Sequence, residues 1–390
     1  MVNKPQTQSG RHRLKIALVG SRGIPPRYGG AETFVYELSK RLREDFDIYV
    51  TCEDSGFYID EHEGVKRVHI WARHTPTMTI PAIYDIVATL YLLKKVPDMD
   101  VVFYVAPDGA YAATLAKLAL RKTVVSTDGI EWQRLLTRIK YVPTLHKPIY
   151  LLTALVMFLA EFLACKLPDV TIADSLAIKR YTEQRWRPKR TLYVAYGVRK
   201  LPPVDEKRQE TILKRLGLAK YNYYLTVGRI VAENNIHMEV EAFKQTKTEK
   251  KLVIVGPINP NDPYIKHVYR LKGNDQRIIF TGPIYDGAIL YTLRANCKAY
   301  IHAYTVGGTN PSLLEQLQFN RPILAYDTPF HREILRGKGI YFKTTQELAK
   351  KIEEIDNKDI SIQWNPSKIF TWEYVANVYK QLFQQLANDT

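Results

Sequence analysis

Short apolar runs rich in Val, Ile and Tyr alternate along the chain with stretches whose apolar positions recur every three or four residues, the pattern of parallel strands covered by helices. Runs at Lys15–Val19, Asp47–Thr51, Arg67–Trp71, Val101–Val105, Thr123–Thr127, Val170–Ala173 and Leu192–Ala195 predict the strands of one α/β domain. A second set at Tyr224–Val227, Lys251–Val255, Arg277–Thr281, Ala299–His302, Pro322–Ala325 and Gly339–Phe342 predicts another. The intervening Tyr196–Asn222 carries Pro202, Pro203 and several charges, and reads as a linker with a short helix near Glu206–Leu216. At the end, Trp372–Leu386 places Val375, Val378, Tyr379, Leu382 and Phe383 on one helical face, which needs an apolar surface to lie on. The expected fold class is therefore α/β, with two doubly wound domains. If they face each other, the carboxyl ends of both sheets surround one cleft, and chemistry is expected in the loops that follow strands.

Composition agrees with two globular domains: 390 residues, 46% hydrophobic and 25% charged, exclude a mostly disordered or low-complexity protein. Cys52, Cys165 and Cys297 lie far apart and form neither a disulfide framework nor a zinc pattern, so a reduced, intracellular setting is expected. Residues 1–13 are polar and basic, without the apolar core of a secretion signal, and a cytoplasmic location is expected.

The net charge of +16 changes the picture through its placement. Residues 1–108 hold 14 Lys plus Arg against 14 Asp plus Glu, whereas residues 109–200 hold 16 against 6. This basic stretch contains the most apolar run of the chain, Ile149–Cys165, interrupted only by Thr153 and Glu161. The run is shorter than the roughly 20 residues that span a bilayer. A buried helix and a helix that dips one face into lipid both fit it. Arg134, Arg138, Lys140, Lys147, Lys166, Lys179 and Arg180 surround it, so attachment to an anionic membrane surface is a second expectation. Nucleic acid is not expected as a partner, because no recognition motif or aromatic–basic interleaving accompanies the charge.

Three loops carry candidate chemistry. The first strand runs into Gly20-Ser21-Arg22-Gly23-Ile24-Pro25-Pro26-Arg27-Tyr28-Gly29-Gly30-Ala31-Glu32-Thr33, with a helix beginning near Ala31. Glycines and a helix start suit an anion such as phosphate, although a merely structural glycine turn reads the same way. The spacing matches neither the dinucleotide fingerprint nor the P-loop. In the second domain, Tyr224–Val227 leads to Gly228-Arg229, where a guanidinium is placed to fork a phosphate or simply to pair on the surface. The strand Ala299–His302 leads to Gly307-Gly308-Thr309-Asn310-Pro311-Ser312-Leu313-Leu314-Glu315. Amides of Gly308, Thr309 and Asn310 are candidates to cap a diphosphate. Glu315 is a candidate for ribose hydroxyls, or else a helix-dipole partner.

Together with Thr127-Asp128-Gly129-Ile130-Glu131-Trp132, these loops resemble the family 4 glycosyltransferases of the two-Rossmann (GT-B) type, within them the bacterial polysaccharide rhamnosyltransferase-like subgroup. The resemblance covers about Leu14–Leu386. It implies an acceptor-binding domain over 14–200, with 370–390 packing back on it, and a sugar-nucleotide-binding domain over 201–369. It further implies retention of anomeric configuration. In that reading Asp128, Arg229 and Glu315 are catalytic, and Gly29, Gly30, Arg229, Asn234, Gly308, Thr309 and Asn310 hold the donor diphosphate. Glu315, Pro283 and Tyr285 hold the nucleoside, and Arg27, Tyr28, Glu131, Trp132 and Asp174 lie on the acceptor side.

The chain departs from that family in three places. Counting back eight residues from Glu315 gives Gly307 in place of a first acid, which implies a smaller, less polar pocket, one that a 6-deoxy sugar such as rhamnose would tolerate. Asn234 and Asn235 stand where a lysine is common, and Asp128 where a histidine is common. Asp128 then either handles the acceptor hydroxyl or is a turn residue before Gly129. No cofactor and no metal are expected, since Asp98-Met99-Asp100 precedes a strand, at the end away from the cleft. The expected partners are a dTDP-, UDP- or GDP-sugar donor and a glycan or lipid-diphosphate-linked acceptor. A sugar-nucleotide epimerase and a catalytically silent sugar-nucleotide binder are the alternatives; a phosphorylase would need a longer chain.

Overall fold

A computed structural model describes residues 13–26, 29–72, 81–364 and 368–389 of the protein. Among the described residues fourteen strands run in chain order: β1 (Lys15–Val19), β2 (Asp47–Asp54), β3 (Tyr58–His62), β4 (Val65–Trp71), β5 (Val101–Tyr104), β6 (Lys122–Thr127), β7 (Val170–Ala173), β8 (Thr191–Tyr193), β9 (Tyr223–Val227), β10 (Lys251–Val255), β11 (Ile278–Gly282), β12 (Ala299–His302), β13 (Ile323–Tyr326) and β14 (Ile340–Phe342). They form an eight-stranded sheet ordered β3-β4-β2-β1-β5-β6-β7-β8 and a six-stranded sheet ordered β11-β10-β9-β12-β13-β14. This is the expected α/β class, and the central strands are buried over nearly all of their length because parallel sheets are covered on both faces. The described residues fall into two compact units. One comprises those up to Val125, 167–170 and those from Ala376; the other comprises 126–166 and 171–375.

In the first unit β1 pairs in parallel with β2 and β5, in a register that sets Leu18 opposite Val50 and Phe103. The helix Gly30–Leu42 buries Phe34, Val35, Leu38 and Leu42 on this sheet. The final helix, Trp372–Asn388, returns to the same unit, as its apolar face requires. The Tyr379 ring lies 5.7 Å from Phe34 and 5.2 Å from Phe103, and Phe383 lies 6.1 Å from Phe46. Lys380 closes the contact on Asp45 at 2.6 Å.

One strand of this unit has no expectation behind it. β3 pairs antiparallel with β4 through a tight turn in which Glu63 and Gly64 both take positive φ, 49° and 78°. Its sequence, Tyr-Ile-Asp-Glu-His, is exposed to half-buried and lacks the apolar run that marks the other strands. Asp98 and Asp100 both bond Lys15, the first to its ammonium and the second to its backbone N–H at 2.7 Å, so this pair of acids pins the start of β1.

In the second unit the parallel strands β9, β10, β12 and β13 carry an apolar layer on each face. Tyr224, Leu252, Ile254 and Ile301 belong to one layer, and Leu225, Val253, Tyr300 and Leu313 to the other. The helix Lys147–Lys166, which contains the apolar run Ile149–Cys165, is not the buried core helix that was one of its two readings. Ala154, Ala160, Glu161, Ala164 and Cys165 face the protein, while Ile149, Leu151, Leu152, Leu155, Val156, Leu159 and Phe162 are exposed.

Candidate functional site

The first glycine turn has two physically different halves. Gly20 and Gly23 have φ of 100° and 124°, and a Cβ on Gly23 would stand 2.9 Å from Cys52 Sγ, so these two glycines are required by the fold itself. Gly29 and Gly30 have, among the described residues, no atom within 4 Å of where a Cβ would sit. Gly29 precedes the helix with extended backbone and no side-chain cap, leaving the helix start open to an anion. Arg27 and Tyr28 lie outside the described residues.

In the second unit, β9 ends at Gly228. A Cβ there would stand 1.7 Å from the Tyr304 hydroxyl, and one on Gly256, at the end of β10, 2.0 Å from the Gly228 carbonyl. These glycines pack the strand ends together and turn Arg229 outward. Its side chain is exposed and, among the described residues, makes no hydrogen bond or ion pair, leaving the guanidinium free for a ligand. Asn234 and Asn235, expected as ligand donors, spend their amides on the loop: Asn234 Nδ2 donates to the Arg229 carbonyl at 2.7 Å, and Asn235 Nδ2 to the Ala303 carbonyl at 2.9 Å.

Glu315 sits in the short helix Pro311–Gln316 and is oriented from below by a residue the sequence reading missed. Arg294, fully buried, donates to Glu315 Oε2 at 2.9 Å, to Ser312 Oγ at 2.9 Å and to Gln316 Oε1 at 3.2 Å. Ser312 Oγ donates in turn to the Val227 carbonyl at 2.7 Å, tying the carboxylate to the end of β9, the strand that presents Arg229. An arginine one turn from Leu290 and beside Leu293 in Gly287–Asn296 was the available signal, because an interior cation needs a fixed acid. Pro283 and Tyr285 are exposed in the loop before that helix, with Tyr285 at 76% of its full surface.

A cluster of acids and arginines surrounds the second glycine turn. Asp174, at the end of β7, accepts the Thr309 N–H on Oδ2 at 2.9 Å, while its carbonyl accepts the Thr309 hydroxyl. Its Oδ1 is buried without a hydrogen-bond partner, and a Cβ on Gly308 would stand 1.8 Å from that oxygen. The Thr309 amide expected for a diphosphate is therefore held by the protein's own carboxyl. Burial, reinforced by the charge of Asp128, raises the Asp174 pKa well above the usual carboxylate range against the pull of Arg134 and Thr309. Asp128 is pushed up to about 6 by burial and by Glu131, and accepts a hydrogen bond from the Tyr196 hydroxyl at 3.4 Å.

Arg134 pairs with Glu131, and its Nη2 lies 2.6 Å from where a Gly129 Cβ would stand and 3.3 Å from a Gly307 Cβ. The less polar pocket expected at Gly307 is thus not found: a guanidinium lies against the missing acid's position. Arg138 forks Glu233, with Nε to Oε2 at 3.0 Å. Burial alone would raise the Glu233 pKa, but these bonds bring it below the ordinary range. Trp132 packs edge-on to Phe158 at 5.7 Å. The N-terminus of the helix Leu176–Trp186 is already capped by Glu333, which accepts the Leu176 amide at 3.0 Å.

Two parallel-dominated Rossmann-like sheets with a returning final helix define a GT-B protein, and solved structures share the fold. A sucrose-phosphate synthase from Thermosynechococcus elongatus matches with a TM-score of 0.76 at 16% identity, over 97% of this chain and 100% of its own. Anabaena HepE, solved in complex with UDP-glucose, matches with a TM-score of 0.68 at 17% identity, over 97% and 99%. Residues 208–362 match the family of glycosyl transferases group 1, and residues 13–199 match a domain of unknown function (DUF1972). An uncharacterized glycosyltransferase of Methanocaldococcus jannaschii is 23% identical over 93% of this chain and 96% of its own. The match to glycosyl transferases group 1 thus lies in the second half of a chain with the GT-B fold.

Proposed function

We propose that the protein transfers a hexosyl group, L-rhamnose in the first instance, from a dTDP-, UDP- or GDP-sugar to a glycan or lipid-diphosphate-linked saccharide, with retention of configuration. The work belongs to cell-surface polysaccharide synthesis at the cytoplasmic face of a membrane and needs no metal or other cofactor. The observation that carries this reading is an exposed Arg229 after one strand together with a Glu315 whose carboxylate is oriented by the buried Arg294, which is tied through Ser312 to the end of the Arg229 strand.

As the bond to the nucleotide breaks, the sugar becomes oxocarbenium-like and negative charge gathers on the leaving diphosphate. A fixed guanidinium then lowers the barrier more than it tightens the ground state. Glu315, with Oε2 anchored, offers Oε1 to the ribose hydroxyls, and Pro283 and Tyr285 are assigned to the rest of the nucleoside. Asn234 serves by holding the Arg229 carbonyl. The open Gly29–Gly30 turn offers its amides to an anion, as do Gly308, Thr309 and Asn310 once Asp174 yields. With front-face attack the departing phosphate oxygen takes the acceptor's proton, and Asp128 orients the acceptor hydroxyl or shares that proton. Arg27, Tyr28, Glu131, Trp132 and Asp174 complete the acceptor side, the last three by shaping it. Arg134 beside Gly307 gives the sugar pocket a charge, so a hexose bearing its full set of hydroxyls is also a candidate.

Arg229→Ala is expected to lower turnover about 100-fold or more with unchanged melting temperature, and Glu315→Ala to lower it as much while also lowering the melting temperature, because the buried Arg294 loses its acid. The check is mass spectrometry of products on a lipid-linked N-acetylglucosamine acceptor, with and without chelator. Near-normal turnover by either variant would refute the assigned roles, and loss of activity in chelator would refute metal independence. The reading as a silent binder draws on Asp174, which fills the Thr309 amide. Donor binding without transfer across an acceptor panel would establish it.

A further inference from the structure

We infer that the helix Lys147–Lys166 lies in the plane of an anionic bilayer, with its outer face in the boundary between headgroups and acyl chains. The surface supplies the proposed membrane setting but does not depend on the sugar transfer. Ile149, Leu152, Val156 and Leu159, with Leu151, Leu155 and Phe162, form a continuous exposed stripe at spacings of three and four, each between 36% and 56% exposed. At about 1.5 Å per residue the helix runs about 30 Å, and an apolar patch of that length is more than a monomer ordinarily shows to water.

The helix's rotation about its axis is fixed from the protein side. Glu161, the one charged side chain between Pro148 and Cys165, is buried, with its Oε1 accepting from the Tyr181 hydroxyl at 2.8 Å and from Trp186 Nε1 at 2.6 Å. The Phe162 and Phe158 rings pack on Trp186 at 5.3 and 5.2 Å. With its acid turned inward and protein along one side, the helix lies on the surface instead of crossing a bilayer.

Charge chooses the occupant. Between Glu131 and Asp169 the sequence has no acid except Glu161, while Lys147 stands at one end of the stripe and Lys166 at the other. The neighbouring helix Leu176–Trp186 carries Lys179, Arg180 and Arg185 against one acid, Glu183, which pairs with Lys179, and the Arg185 guanidinium lies 5.3 Å from the Phe158 ring. An apolar band flanked by cations complements anionic headgroups above acyl chains, whereas a second copy would set the same cations against each other.

The test is flotation of the full chain with phosphatidylglycerol–phosphatidylcholine vesicles and with pure phosphatidylcholine vesicles. The wild type is expected to float with the first, less at high salt, and Leu152→Glu/Leu155→Glu to lose about tenfold of the bound fraction at an unchanged melting temperature. As all three native cysteines are buried, Leu155→Cys carrying an environment-sensitive dye gives a second reading, an emission blue shift on adding the anionic vesicles. Wild type that stays with the aqueous phase, equal flotation of the double variant, or a stable dimer that hides the dye without lipid would overturn the proposal. Transfer to a water-soluble acceptor is assayed in parallel. The double variant is expected to keep it and to lose transfer to a vesicle-borne acceptor, so a failed transferase reading is told apart from a failed membrane surface.

Discussion

The two glycine turns look alike in sequence and differ in the molecule. Around Gly29 and Gly30 there is open space among the described residues, whereas Gly308 is packed against Asp174 and Gly307 against Arg134. Both turns begin helices, so each presents backbone N–H groups to an anion; in the second, one of those amides is already given to a carboxyl of the same chain. A glycine is therefore read correctly only with its neighbours. At 29 and 30 the missing Cβ leaves room for a guest, and at 307 and 308 it makes room for the protein's own side chains.

Gly308→Ala is expected to have the largest effect, because the Asp174 carboxyl must leave the Thr309 amide to admit the new methyl. A loss of about 1–3 kcal/mol of stability and of most transfer is expected, measured by denaturant unfolding and product assay. An unchanged melting curve would break the contrast between the turns. Next in size is Asp128→Asn, which probes the acids around the second turn. The Asp128 carboxyl, pushed up to about 6, is charged above that pH and neutral below it, so kcat/KM is expected to rise with pH through about 6 in the wild type. The variant is expected to lose that limb and about 100-fold in rate, as removal of a positioned acid–base group does. A retained profile would leave Asp128 as a turn residue. The smallest effect is assigned to Gly30→Ala, whose methyl meets nothing: stability is expected to stay within about 0.5 kcal/mol, with only donor KM rising. Destabilisation there would mean that the open half of the first turn is structural.

The strands were readable because parallel strands buried on both faces become unbroken apolar runs; β3 was not, because its residues lie at an exposed sheet edge. The helix Lys147–Lys166 was visible as an element but not as a surface. A polar stripe normally marks the outer face, and here both faces are apolar. Within the site, the places of Arg229 just after a strand and of Glu315 in a short helix were legible. Arg294 and Arg134 were not, since what places them is their approach to residues distant in sequence, Glu315 and Gly307 respectively.

The central claim is that the Arg229 guanidinium holds the leaving diphosphate. Titration calorimetry of UDP, dTDP and GDP against the wild type and Arg229→Ala tests it most directly. A charge-assisted hydrogen bond contributes about 1.5–3 kcal/mol, so the Kd of whichever nucleotide binds is expected to weaken about 10- to 100-fold in the variant. Equal affinity in the two proteins would contradict the account.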